Sequence, residues 1–231
     1  MAKEGTPDAR RTVQRVPTSA AGAASCRPRG HPSAEPGSAG REPKAARDVR
    51  VAVCEYGAGN VRSVTIAFTR LGADVATTSA PDDVLAADLA VLPGVGSAAA
   101  AMAGLRERGL DEALRTRVEE GRATLGICLG LQLALEESEE DGGVQCLGLL
   151  PGRAVRLREG RVPRIGWAPV EPSGDAFYFA HSYAADTPAA SAHSEGVVAE
   201  ARSGAFIGVQ FHPEKSGAAG ARFLERCLSH A

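Results

Sequence analysis

Residues Ala123-Thr-Leu-Gly-Ile-Cys128-Leu-Gly-Leu-Gln-Leu-Ala-Leu-Glu136 read as a buried strand that breaks sharply into a helix, with Cys128 at the break. Gly126 and Gly130 stand two residues to either side of the thiol. That is the spacing of a strand-turn-helix elbow, where a nucleophile occupies a tight turn and glycine leaves room around it. A thiol at a helix N-terminus is favoured as thiolate, because the first N–H groups and the helix dipole both stabilise negative charge. The same N–H groups can hold an oxyanion. Free cysteine is also a common inert core residue, so a catalytic reading needs a base elsewhere in the chain.

Working outward, Val49 to Cys54 form a short β-branched run, the first buried strand. It leads through Tyr56-Gly-Ala-Gly-Asn60 into a helix from about Val61 to Leu71, closed by Gly72. Asp74 to Thr77 make a second strand, Asp82 to Ala86 a turn of helix, and Asp88 to Leu92 a third strand. Such alternation implies a parallel sheet with helical crossovers. The third strand runs into Pro93-Gly94-Val95-Gly96, and helices follow from Ser97 to about Arg108 and from Leu110 to Glu120. Ligands gather beyond the carboxyl ends of parallel strands, so this loop and the Cys128 elbow are expected side by side. Glycines flanking Val95 let its peptide turn and offer an N–H to a ligand.

Beyond the elbow helix, Glu136 to Gly143 read as an acidic, solvated loop. Short alternating strands then replace helices: Arg153 to Leu157, Ile165 to Val170, Phe177 to Tyr183, Ala190 to His193, Val197 to Ala201 and Phe206 to Phe211. These are expected to extend the sheet in antiparallel fashion, with a last apolar-faced helix from about Gly217 to Leu228 packed on it.

Two histidines compete as the base. His212 leaves a strand at Phe211-His212-Pro213-Glu214, and in extended chain residues two apart face the same way, so its imidazole and the Glu214 carboxylate can meet. That pairing supplies a base and a group that sets its tautomer. His181, in Phe179-Ala-His181-Ser182-Tyr183, also sits at a strand end, and the residues alone leave both open.

Composition bounds the rest. A chain of 231 residues with 44% hydrophobic side chains can bury a sizeable core, and a net charge of −2 gives no electrostatic case for nucleic acid or a membrane surface. No apolar run reaches bilayer length. The five cysteines at 26, 54, 128, 146 and 227 are odd in number and contain no C-x-x-C pair. They indicate neither a disulfide framework nor a zinc site, so no metal or cofactor is expected, and a reducing cytoplasm fits. Residues 1–48 contain no Leu, Ile, Phe, Tyr or Trp and are expected to be a disordered extension preceding a domain over 49–231. Glu4, Asp8, Glu35 and Glu42 argue against a transit peptide there.

Taken together, Tyr56-Gly-Ala-Gly-Asn60, Pro93-Gly-Val-Gly96, Gly126-Ile-Cys-Leu-Gly-Leu-Gln132, Phe179-Ala-His-Ser-Tyr183 and Gly208-Val-Gln-Phe-His-Pro-Glu-Lys-Ser216 closely resemble class I glutamine amidotransferases. Within that family they are most similar to the glutaminase subunits of imidazole glycerol phosphate synthases. The guanylate and anthranilate synthase glutaminases typically carry P-G-G-P or P-G-P-G where this chain has Pro93-Gly94-Val95-Gly96. The resemblance covers residues 50 to 230 and implies a flavodoxin-like α/β fold, a mostly parallel sheet flanked by helices with an antiparallel extension. It also implies Cys128 as nucleophile, His212 as base and Glu214 as its orienter. Leu129 and the Val95-Gly96 peptide would supply oxyanion N–H groups, while Gln132, Ser182 and Tyr183 would help hold glutamine. Ammonia would pass to a (βα)8-barrel cyclase subunit in a heterodimer of histidine biosynthesis, docked on a face that includes Trp167, Tyr183 and Lys215. Ala168 stands where the family usually has Asn, which removes one polar group near that face. The rival readings are a glutaminase feeding another synthase and a cysteine hydrolase of the related flavodoxin-like group.

Overall fold

The computed structural model describes residues 48–57 and 59–231. Apart from Asp48, the expected disordered extension lies outside the described residues, as does Cys26. The first half of the chain alternates strand and helix: β1 (Arg50–Cys54), α1 (Val61–Arg70), β2 (Asp74–Thr78), α2 (Pro81–Ala86), β3 (Leu89–Gly94), α3 (Ala98–Glu107), α4 (Leu110–Glu119), β4 (Thr124–Cys128) and α5 (Leu129–Ala134). The second half is strand-rich: β5 (Glu137–Ser138), β6 (Val144–Gln145), β7 (Arg153–Arg156), β8 (Arg164–Val170), β9 (Asp175–His181), β10 (Tyr183–Asp186), β11 (Ala190–Ser194), β12 (Val197–Ser203) and β13 (Phe206–Val209), before α6 (Gly217–Ser229).

A seven-stranded sheet in the order β11-β12-β13-β4-β3-β1-β2 forms the frame. Its strands β2, β1, β3, β4 and β13 run parallel, and β12 and β11 extend it antiparallel. The expected antiparallel extension is present in β12 and β11, but β13, expected to be part of it, joins parallel to β4, and the other late strands pair elsewhere. Strands β10, β7, β5 and β6 make a four-stranded sheet and β8 pairs with β9 as a separate ribbon. The stretch expected as one strand over Phe177 to Tyr183 is two, broken at Ser182, because β9 pairs with β8 while Tyr183 turns to pair with Arg156 of β7.

Alternation along the buried strands assigns side chains to two cores. Val51 and Val53 face one side, where Val64 and Phe68 of α1, Phe223 and Leu224 of α6, and Phe177 and Phe179 of β9 close over them. Ala52 and Cys54 face the other, against Val84, Met102, Leu105, Leu110, Leu114 and Leu133 from α2 to α5. The acidic Glu136–Gly143 stretch is largely exposed, as expected, but it is tied to α3. Glu140 accepts from the backbone N–H of Ala98, and Asp141 from that of Ala99 and from the Ser97 hydroxyl, so two carboxylates hold the N-terminus of α3 where its unpaired N–H groups favour negative charge.

Arg117 on α4 is fully buried, and its guanidinium donates to the carbonyls of Val84, Ala87, Asp88 and Ala123 at 2.7–3.1 Å. Burial depresses this group to about 10. It ties the end of α2 to the starts of β3 and β4. Replacing Arg117 with Met strands those carbonyls, and urea denaturation should show stability lower by about 2–4 kcal/mol.

Candidate active site

Four of the parallel strands deliver side chains to one sheet end. β4 ends at Cys128, β3 runs two residues further than expected before Val95 and Gly96, β1 leads to Tyr56 and Asn60, and β13 leads to Gln210 and His212. The predicted elbow is formed. Cys128 has φ 54° and ψ −104°, outside the ordinary regions for an L-residue. Packing shows why glycine flanks it: a Cβ on Gly130 would overlap the carbonyl oxygen of Leu92, and one on Gly126 would meet the Gly130 carbonyl and the Phe206 ring. Helix α5 thus lies backbone-to-backbone on β3 and β4.

His212 is anchored before its ring is considered. Its N–H donates to the Tyr178 carbonyl at 2.8 Å, and its carbonyl accepts from the Ser216 hydroxyl at 2.6 Å. The strand ends at Val209, and Pro213 starts a single 3₁₀ turn, Pro213–Lys215, which brings Glu214 back beside the ring. Nδ1 of His212 lies 2.8 Å from Oε1 of Glu214, and both side chains are buried. Burial pushes the imidazole down, but interaction with Cys128 and the Glu214 hydrogen bond, together with the charges of both groups, outweigh it and hold His212 at about 9. Nε2 is buried without a hydrogen bond of good geometry, beside the thiol.

His181 has no such partner. Its Nδ1 faces the Tyr183 carbonyl at 2.8 Å, an atom that only accepts, so Nδ1 carries the proton. Burial, with the charges of Arg164 and His212, depresses it to about 4. The geometry therefore separates the two histidines that the residues alone left open. One is paired with a carboxylate and held cationic, and the other is held neutral.

A cavity of about 230 Å³ opens over the thiol, lined by Val95, Gly96, Cys128, Leu129, Gln132, Glu140, Pro163, Ile165, Ala180, His181, Ser182 and Tyr183. Every residue expected around the glutamine is among them. Gln132, however, commits Nε2 to the protein, donating to the Tyr183 carbonyl at 2.7 Å and to Oε1 of Gln210 at 3.2 Å. Of the residues expected on a docking face, Trp167 is 58% exposed and Lys215 is exposed, while Tyr183 is half-buried at the cavity wall. Ala168 points the opposite way from Trp167, into the core with Val170 and Phe177. It is not a surface position.

Three residues escaped sequence reasoning. Asn60, in left-handed conformation at φ 75°, places Nδ2 2.5 Å from Oε1 of Glu214, the same oxygen that His212 uses. Its signal was an Asn after glycines at a helix start, a type that tolerates positive φ. Gln210 is fully buried, with Nε2 3.6 Å from the Cys128 sulfur. A lone amide in the apolar run Val209-Gln210-Phe211, on the same strand face as His212, was its signal. Ile165 is 64% exposed near Trp167, and an exposed apolar pair on a ribbon is invisible to alternation alone.

A model of the class-I glutamine amidotransferase family matches residues 52–231. The chain belongs to that family. Curated relatives include the imidazole glycerol phosphate synthase subunit HisH of Methylococcus capsulatus, 42% identical over 207 residues, 77% of this chain and 95% of the relative. The subunit of the same name from Methanothermobacter thermautotrophicus is 44% identical over 186 residues, 74% of this chain and 93% of the relative. Among solved structures, a glutamine amidotransferase at 23% identity superposes with a TM-score of 0.65, covering 78% of this chain and 99% of the other, which shows the shared fold.

For this amidotransferase the pH dependence has a definite sign. The raised pKa of His212 favours the folded state below about 6.5, and that contribution is lost as pH rises through about 9. The depressed pKa of His181 contributes above about 6.5 and is lost as pH falls toward about 4. Glu214→Gln removes a raising influence and leaves burial, so the His212 titration followed by NMR should move down from about 9 by at least about 1 in pH. An unchanged midpoint would show that Glu214 does not hold the ring cationic.

Proposed function

We propose that this chain is the glutaminase subunit of an imidazole glycerol phosphate synthase, hydrolysing glutamine to glutamate and passing the ammonia to a (βα)8-barrel cyclase subunit. The observation that carries the reading is the buried Cys128, His212 and Glu214 set beneath a cavity, in a chain whose relatives bear that subunit name. With His212 already carrying the proton, Cys128 attacks the side-chain amide carbon of glutamine as thiolate. The N–H of Leu129, in the first turn of α5, and the Val95-Gly96 peptide stabilise the oxyanion. Protonated His212 then gives its proton to the departing ammonia, and water cleaves the glutamyl thioester with His212 as base. Asn60 and Glu214 hold the imidazole throughout. Ser182, Tyr183 and the side chain of Gln132 hold the amino acid.

Trp167, Ile165, Lys215 and Tyr183 form the face offered to the barrel. Among the described residues no helix is long and apolar enough to cross a membrane, and Cys54, Cys128, Cys146 and Cys227 are free thiols, which supports a cytoplasmic enzyme.

In the complex, Cys128→Ala should lower glutamine-dependent synthesis by at least about 10³-fold while synthesis from ammonium salts persists. His212→Ala should follow it, and His181→Ala should be milder. Steady-state assays with each nitrogen source test this, and glutamine turnover retained by Cys128→Ala would reject the mechanism. Hydrolysis of peptides or esters in preference to glutamine would favour the cysteine-hydrolase reading instead.

The domain proposed over 49–231 opens on Val49, which is fully buried. A chain starting there should match the full chain in melting temperature and in partner affinity by calorimetry. Lost complex formation would assign the extension a role in docking.

A further inference from the structure

Cys128 carries a second contact that the Cys-His-Glu mechanism does not use. Nε2 of Gln210 lies 3.6 Å from its sulfur, and Gln210 is fully buried. Which end of a glutamine amide is nitrogen is normally ambiguous, but here the neighbours set it. The Tyr183 backbone carbonyl can only accept, so Gln132 must present Nε2 to it, at 2.7 Å. The second hydrogen of that nitrogen meets the next amide at 3.2 Å, which must then be Oε1 of Gln210. Gln210 is left with Nε2 facing the sulfur. Polarity thus runs in one direction from a backbone carbonyl through two amides to the nucleophile. Reversing Gln132 would set oxygen against oxygen, and reversing Gln210 would set nitrogen against nitrogen.

We infer that Gln210 is a catalytic residue of this site, an N–H donor that stabilises the Cys128 thiolate, and that Gln132 is a positioning residue that locks its orientation. A neutral donor suits the place. It favours the anion over the thiol by a charge-assisted hydrogen bond without adding a proton that could be lost to the sulfur. The contact also restrains the sulfur from the side of β13, while the Ala180 carbonyl, 3.9 Å away, accepts from the thiol form. The inference rests on the reading of Cys128 as nucleophile.

The groups that titrate around this sulfur are His212 from the segment after β13 and Tyr56 from the loop after β1, with Glu214 on Nδ1 of the His212 ring and His181 on the wall of the same cavity. None of them is altered by changing Gln210 to Met, which keeps the side chain's length and removes both polar ends. The test is iodoacetamide alkylation of the full chain from pH 5 to 10, with the Cys128 peptide quantified by mass spectrometry so that other cysteines do not contribute. Gln210→Met should slow alkylation of Cys128 about tenfold at neutral pH and move the midpoint of its pH–rate profile up by about 1. Gln132→Met should move it the same way by less. Unchanged profiles in both chains overturn the inference, and if Gln210→Met does not fold, an unchanged profile in Gln132→Met overturns it alone. Glutaminase turnover of Cys128→Ala in the complex is measured separately. If that variant stays active the nucleophile reading fails, and the catalytic meaning of the contact fails with it, whereas unchanged alkylation with an inactive Cys128→Ala rejects only Gln210.

Discussion

Cys128 holds a backbone conformation that an L-residue disfavours, at a cost on the order of 1–3 kcal/mol, and it is kept there because α5 sits with its backbone directly on β3 and β4. The contact requires the two flanking glycines and admits no Cβ at Gly130. Much of the site follows from this closeness. It places the thiol at the end of the central strand, sets Leu129 at the cavity wall, and leaves space for β3 to bring Val95 and Gly96 alongside.

The parallel pairing of β13 with β4 does the complementary work. Phe206 to Val209 run in register with Thr124 to Ile127, so the chain leaving β13 emerges beside Cys128. Gln210 meets the sulfur and His212, two residues on, brings its ring to the same place. Pro213 then opens a 3₁₀ turn that folds Glu214 against the imidazole. A carboxylate and an imidazole both removed from solvent are costly unless each is satisfied by the other. Asn60 adds a further donor to the carboxylate oxygen that His212 uses.

The two histidines show how environment divides similar residues into different roles. Both are buried, yet His212 faces a thiol and a carboxylate while His181 faces a backbone carbonyl with Arg164 close by. Burial lowers both; only His212 has negative neighbours strong enough to reverse the direction.

From the sequence alone, the elbow, the βα alternation before it and the His212-Glu214 spacing were legible, because each depends on contacts within a few residues: glycine flanks, hydrophobic period and the same-face rule for i and i+2. The pairing of the late strands was not. Short alternating runs carry the same signal whether they pair parallel with β4, antiparallel with β12 or apart as a ribbon, and only long-range register separates these. For the same reason the polar relay through Gln132 and Gln210, the reach of Asn60 to Glu214 and the inward face of Ala168 were set by the tertiary structure. Each joins or opposes residues far apart in the chain, where local chemistry names the groups but the packing of strands chooses their partners.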